Sequence, residues 1–157
     1  MHYFTVVARF LVLTVALGCL VFTSFAQAPT PAQSLKKAVL KSDLATIETL
    51  LKAGADPNAA IEIVPGSATT YLITAVTDNS LAVVTLLLGA KAQVNQTDAF
   101  KTTALMTAVS KGNPALVALL LSSGADVRAK DDDGKDALTL AREGGNAAII
   151  ALLLARQ

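Results

Sequence analysis

From about residue 34 onward, apolar and polar positions alternate in a repeating cycle. A short apolar stretch centred on an alanine meets a polar break. A leucine-rich run follows, and a longer polar stretch closes the cycle. The alanines are Ala38 in SLKKAVLKSD, Ala75 in YLITAVTDNS, Ala108 in ALMTAVSKGN and Ala141 in ALTLAREGGN. The last two intervals are each 33 residues and the first is 37, which is the same period with a four-residue insertion. Four residues after each alanine stands a residue suited to a tight turn: Ser42, Asn79, Gly112 and Gly145. The apolar runs that follow are IETLL, VVTLLL, LVALLL and IIALLL. A fixed period of this length marks a solenoid of supersecondary units.

The pattern within one cycle predicts two helices. The small alanine lets the first helix approach its neighbour closely, and the leucine run gives the second an apolar face. Gly54 and Gly124 stand at its end, where a left-handed residue stops a helix; Lys91 occupies the same place and would take that conformation at about 1 kcal/mol. No single unit could bury its apolar face alone, so the units are expected to stack on a shared core. Lys36 and Lys37 at one end, and Arg156 and Gln157 at the other, suit polar capping ends. After Leu152, Leu153 and Leu154 only three residues remain, so the leucine face there is expected to be partly open.

The chain resembles the ankyrin-repeat family. The family's helix-ending block is present as LLKAGADPN at 50–58, LLLGAKAQVN at 86–95 and LLLSSGADVR at 119–128. Its Thr-Pro-Leu-His helix-starting block survives only in part. Thr70 and Thr103 hold the threonine, Leu35, Leu72, Leu105 and Leu138 hold the leucine, and the proline and histidine are absent. Lys101 stands where a second turn glycine is expected. The resemblance implies an all-α solenoid of about four helix-turn-helix units joined by β-hairpin-like loops, over residues 34–157. The units are expected at about 34–66, 67–99, 100–132 and 133–157.

That register bears on the run Asp131-Asp132-Asp133-Gly134. It falls at a hairpin tip, where an aspartate side chain can bind nearby backbone N–H groups. A calcium loop would need oxygen ligands at D-x-D-x-D-G spacing with a later glutamate, and DDDGKD does not supply that. The reading is a turn. Phe100, in TDAFKTTA, stands at the preceding tip as a candidate anchor, unless it folds back onto Tyr71 or onto its own hairpin. The insertion contains Ile61, Ile63 and Val64 before Pro65-Gly66, which reads as a longer hairpin strand.

Residues 1–26 are different. Arg9 is followed by an apolar run from Phe10 to Phe22 and then by small residues, the layout of a secretory signal peptide. Cleavage is expected after Ala26; a cut after Ala28 would put Pro29 next to it. An uncleaved membrane anchor through residues 10–26 is the alternative, and a lipoprotein at Cys19 is a weaker one. Residues 27–33 read as a Pro-rich linker.

Composition then narrows the chemistry. The chain is 53% hydrophobic and 16% charged, with one cysteine and one histidine. Cys19 and His2 both lie in the segment expected to be removed. The remainder could form no disulfide, no Cys/His zinc site and no Ser-His-Asp or Cys-His nucleophile. Without Arg9, twelve Lys/Arg face twelve Asp/Glu, so no basic excess points to nucleic acid. Carboxylate catalysis through Asp78, Asp98, Asp132 or Glu143 would need a cleft, and the sequence shows no sign of one.

The chain is therefore expected to be a non-enzymatic protein-binding module of the periplasm or secreted space. It is expected to be monomeric and to use no cofactor or metal. An inhibitor or immunity protein for a secreted enzyme, and a host-targeted effector, are the narrower alternatives. The resemblance implies binding through hairpin tips and the concave helix face. The candidate contacts are Phe100, Lys101, Lys111, Asp132, Asp133, Lys135, Asp78, Ile61 and Ile63. The 33-residue period places Phe100 and Asp133 at equivalent tips, about 10 Å apart by helix-packing distances.

Overall fold

Residues 29–156 are described by the structure, a computed structural model. The expected signal peptide and its cleavage site lie outside the described residues. Among the described residues eight helices form four antiparallel pairs. They are α1 (Pro31–Leu40) with α2 (Leu44–Lys52), α3 (Tyr71–Thr77) with α4 (Leu81–Gly89), α5 (Ala104–Ser110) with α6 (Pro114–Ser122), and α7 (Ala137–Glu143) with α8 (Ala147–Leu154). First helices stack on first helices and second on second, so each pair meets the next in order. The helix α1 begins at Pro31, three residues inside the segment expected to be linker. Proline is well suited there, since the first helical N–H has no intrahelical partner in any case.

The four aligned alanines have a shared backbone role. In each pair the alanine carbonyl accepts from the N–H of the residue that caps the second helix: Ala38 from Asp43 at 3.0 Å, Ala75 from Ser80 at 3.0 Å, Ala108 from Asn113 at 3.3 Å and Ala141 from Asn146 at 3.4 Å. That closure needs a left-handed residue just before the cap. Ser42, Asn79, Gly112 and Gly145 supply it with φ of 52°, 57°, 68° and 66°. The side chains of Asp43, Asn113 and Asn146 then accept from the first turn of the second helix. Thr70, Thr103 and Asp136 cap α3, α5 and α7 in the same way, and such a cap is typically worth about 1 kcal/mol.

The second helices end as the sequence implies. Gly54, Lys91 and Gly124 have φ of 90°, 65° and 88°. The next residue's N–H reaches back to Leu50, Leu87 or Leu120 at 3.0, 2.9 and 3.0 Å. Leu35, Ile47, Leu87, Leu105, Leu116, Leu120, Ile149 and Leu153 are all buried in one continuous core. The Tyr71 ring is buried too, with its hydroxyl donating to the Ala32 carbonyl at 2.9 Å. Burial, with Asp56 nearby, raises its pKa.

Asparagine side chains tie units together: Asn113 donates to the Asn79 side chain at 2.6 Å, and two others bond the backbone of the following unit. Asn58 accepts from the Gln93 N–H at 2.7 Å and donates to the Lys91 carbonyl at 3.4 Å. Asn95 accepts from the Asp126 N–H at 2.8 Å and donates to the Gly124 carbonyl at 3.2 Å. Each joins the end of one unit to the helix-ending loop of the next.

Candidate protein-binding edge

The loops between units turn out along one edge, and aspartates build them. At the tip between the second and third units, Asp98 Oδ1 accepts from the N–H groups of Phe100 at 2.9 Å and Thr102 at 2.8 Å. The Asp98 N–H donates to the Thr102 carbonyl at 3.1 Å, and Lys101 crosses the turn with φ of 56°. One period later Asp131 Oδ1 accepts from the Lys135 N–H at 2.8 Å, and the Asp131 N–H donates to the Lys135 carbonyl at 3.0 Å. Gly134 takes the left-handed position there with φ of 76°. Asp131 thus organises a turn, as its place in the repeat implies. Among the described residues no group of three or more Asp, Glu, His or Cys side chains gathers where it could hold a metal.

The insertion forms a true hairpin. Ile61–Val64 (β1) pairs antiparallel with Ser67–Thr69 (β2), turning at Gly66 with φ of 81°. The Lys36 ammonium on α1 donates to the Glu62 carbonyl and holds the hairpin against the first unit. The tips are hydrogen-bonded in sequence: the Ala99 N–H donates to the Ala68 carbonyl at 3.0 Å, and the Asp132 N–H to the Phe100 carbonyl at 3.1 Å. They form a single backbone-linked row.

Phe100 is 62% exposed on that row, so it does not fold back onto the buried Tyr71. Beside it, Lys101 and Asp132 from adjacent tips form an ion pair at 2.8 Å. The hydrogen bond that Lys101 donates to the Asp132 carboxylate raises the Lys101 pKa. Lys135 is turned instead toward Glu143 at the end of α7, at 2.8 Å, a pair that solvent screens. Asp133 is exposed. Asp78 and Lys111 are exposed C-caps of α3 and α5. A seven-residue helix puts them about 10 Å from the helix starts beside the tips, on the far rim of the first-helix face.

Ile63 is 47% exposed on β1. Ile61 needs correction: it is only 5% exposed and belongs to the core, so it offers nothing to a partner. Strict alternation would put Ile61 and Ile63 on one face; the register shift between Glu62 and Val64 breaks that alternation at Ile63 and parts it from the buried Ile61.

One feature was not anticipated. A shallow, largely apolar trough runs between α2 and α4 on the second-helix side, lined by Leu44, Leu81, Ala82, Thr85 and Leu86 with Glu48 on its rim. Its signal in the sequence was the recurrence of leucine at the first position of both helices, Leu44 and Leu81, where a solvated start would carry a polar residue.

Stacked helix pairs joined by loops along one edge define a repeat solenoid. A family model described as ankyrin repeats, in three copies, matches residues 72–157. The chain belongs to the ankyrin-repeat family. The first pair, α1 and α2, lies before the matched stretch but repeats its turn and cap geometry. No curated protein matches the chain. Ankyrin repeats typically mediate protein–protein contact, and among the described residues no helix is long and apolar enough to cross a membrane.

Proposed function

We propose that this chain is a non-catalytic module that holds a protein partner along its hairpin-tip edge and first-helix face, with Phe100 as the anchor. The supporting observation is the 62% exposure of that ring, set on a backbone-linked row between Lys101 and Asp132. A large aromatic on a rigid mount presents apolar area with few rotamers to immobilise, and such anchors dominate interface energetics. The flanking charges carry both signs, which suits a protein surface; the phosphates of a nucleic acid would be repelled by Asp132 and Asp133. The apolar N-terminal segment supports export to the periplasm or beyond, with loss of residues 1–26.

Comparative capture from a periplasmic extract tests this. Phe100→Ala should weaken capture of the partner at least tenfold with no change in melting temperature. Charge reversal at Lys135 should slow association more than it speeds release. Normal capture by Phe100→Ala, together with loss of capture by Glu48→Lys on the rim of the second-helix trough, would place the partner on the other face. Intact mass of the fractionated protein reads the export step: a full-length species in carbonate-washed membranes would replace the cleaved leader with an anchor.

A further inference from the structure

The hairpin of β1 and β2 is a two-stranded sheet, and its two outer edges differ. The β2 edge is engaged: the Ala68 carbonyl accepts from the Ala99 N–H of the next tip at 3.0 Å. Ala68 stands opposite Glu62 in the register. Opposed residues of an antiparallel pair either exchange both of their hydrogen bonds or turn both groups away from each other. The outward bond of Ala68 makes this a pair of the second kind. Glu62 therefore turns its own N–H and C=O to the far edge of β1. The Lys36 ammonium meets the Glu62 carbonyl there, in agreement. Among the described residues no strand lies along that edge, and Glu62 is exposed.

A lysine on a sheet edge commonly keeps other chains from pairing with it. Lys36 does half of that. An ammonium has three donors and no acceptor, so it occupies the Glu62 carbonyl and has nothing to offer the N–H beside it. An N–H and a C=O side by side on one strand residue are what a residue of an incoming strand satisfies with two bonds. A helix has its own backbone groups engaged internally and cannot take both.

We infer, resting on the reading of the tip edge as a partner site, that β1 is the docking edge for an extended segment of the partner protein, which adds a strand beside Glu62 and displaces Lys36. In such strand addition main-chain bonds give affinity and side chains give specificity. Glu62 favours a basic residue opposite it. The added strand prolongs the row of backbone bonds that runs through Ala68, Ala99, Phe100 and Asp132, so it and the Phe100 anchor belong to one continuous edge. A second copy of this chain fits poorly. An antiparallel pair centred on Glu62 would set two glutamates directly opposite, where like charges destabilise.

Amide NMR of residues 27–157 tests this with a synthetic strand, the peptide Thr-Val-Lys-Val-Thr, acetylated and amidated. The buried core runs from Leu35 to Leu153, so this portion folds on its own. The Glu62 N–H signal should shift saturably, with a Kd of about 1 mM. Methylating the backbone nitrogen of the peptide's lysine should abolish the shift. Lys36→Met should tighten binding about threefold, the worth of one net hydrogen bond. Glu62→Pro removes the outward N–H and keeps the bonds between β1 and β2. Binding to it, read on the peptide's own signals, should be lost with an unchanged melting temperature. If Glu62→Pro loosens the hairpin, the methylated peptide reads the same bond on the intact protein. No shift up to about 10 mM peptide, equal binding of the methylated peptide, or unchanged binding by Lys36→Met would overturn the inference. So would a doubled mass of Lys36→Met without peptide, which would make the edge self-pairing. None of these readouts involves Phe100, so normal capture by Phe100→Ala would sink the anchor and leave strand addition standing.

Discussion

Lys91 sits where two other units have glycine, and exchanging the residue types isolates a backbone term. Lys91 has φ of 65°, while its equivalents Gly54 and Gly124 have φ of 90° and 88°. A side-chain-bearing residue in the left-handed region is disfavoured by about 1–2 kcal/mol. Replacing Lys91 by glycine removes that strain but gives the unfolded chain more freedom, which offsets about 0.4–1 kcal/mol. The exposed lysine side chain contributes nothing else that the structure shows, and the carbonyl bonded by Asn58 is retained. Lys91→Gly should therefore stabilise by about 0.5–1 kcal/mol, a rise of roughly 2–4 °C for a domain of this size. The reciprocal change has an empty surround: a Cβ at Gly124 meets nothing within 4 Å. Gly124→Ala should thus cost about 1 kcal/mol through backbone strain alone. Urea unfolding at constant m would measure both. A loss of stability in Lys91→Gly, or neutrality of Gly124→Ala, would mean that these loops relax out of the left-handed form and that the strain argument fails.

Leu87 and Leu120 are each 0% exposed at the end of the second-helix packing, so Leu87→Ala and Leu120→Ala should each destabilise by about 2–5 kcal/mol in chemical denaturation; effects below about 0.5 kcal/mol at both would contradict the stacking. Asp136 caps α7, and its pKa is lowered by the backbone and side-chain hydrogen bonds from Thr139. A lowered folded pKa means that its contribution is complete above the ordinary aspartate value of 3.8 and fades as pH falls through the folded value. Asp136→Asn retains a capping oxygen that does not titrate, so melting temperatures of the two proteins should be similar at pH 7, with the variant losing less below about pH 4. A constant gap between them across that range would remove Asp136 from the acid response.

The period was legible because the backbone imposes it. An alanine carbonyl that must receive the cap N–H of the next helix, with a left-handed residue between them, confines residue types at fixed offsets, and those offsets recur in the sequence. The turn role of Asp131 was readable for the same reason. What was not readable depended on contacts between segments of different sequence. Ile61 and Ile63 share a face in a regular strand, and only the irregular register between Glu62 and Val64, which the sequence does not announce, leaves Ile61 in the core and Ile63 on the surface. The pairing of Lys101 with Asp132, and of Lys135 with Glu143 rather than with the aspartates beside it, likewise depends on how adjacent loops lean. The aperiodic start of α1 at Pro31 lay hidden in a stretch whose prolines suggested a linker.

The asparagine bridges give the solenoid a graded stiffness. Asn58 and Asn95 each grip one carbonyl and one N–H of the following unit, so the first two junctions resist both sliding and hinging. The corresponding residue at the third junction is Arg128, whose guanidinium has no acceptor to offer a backbone N–H. Among the described residues, the last helix pair packs on α5 and α6 and shares the tip bond from Asp132 to Phe100, with no asparagine bridge from Arg128. The rod is rigid where its hairpin and Phe100 are mounted and compliant at its far end, so amide exchange should be slowest in α3 to α6 and fastest in α8.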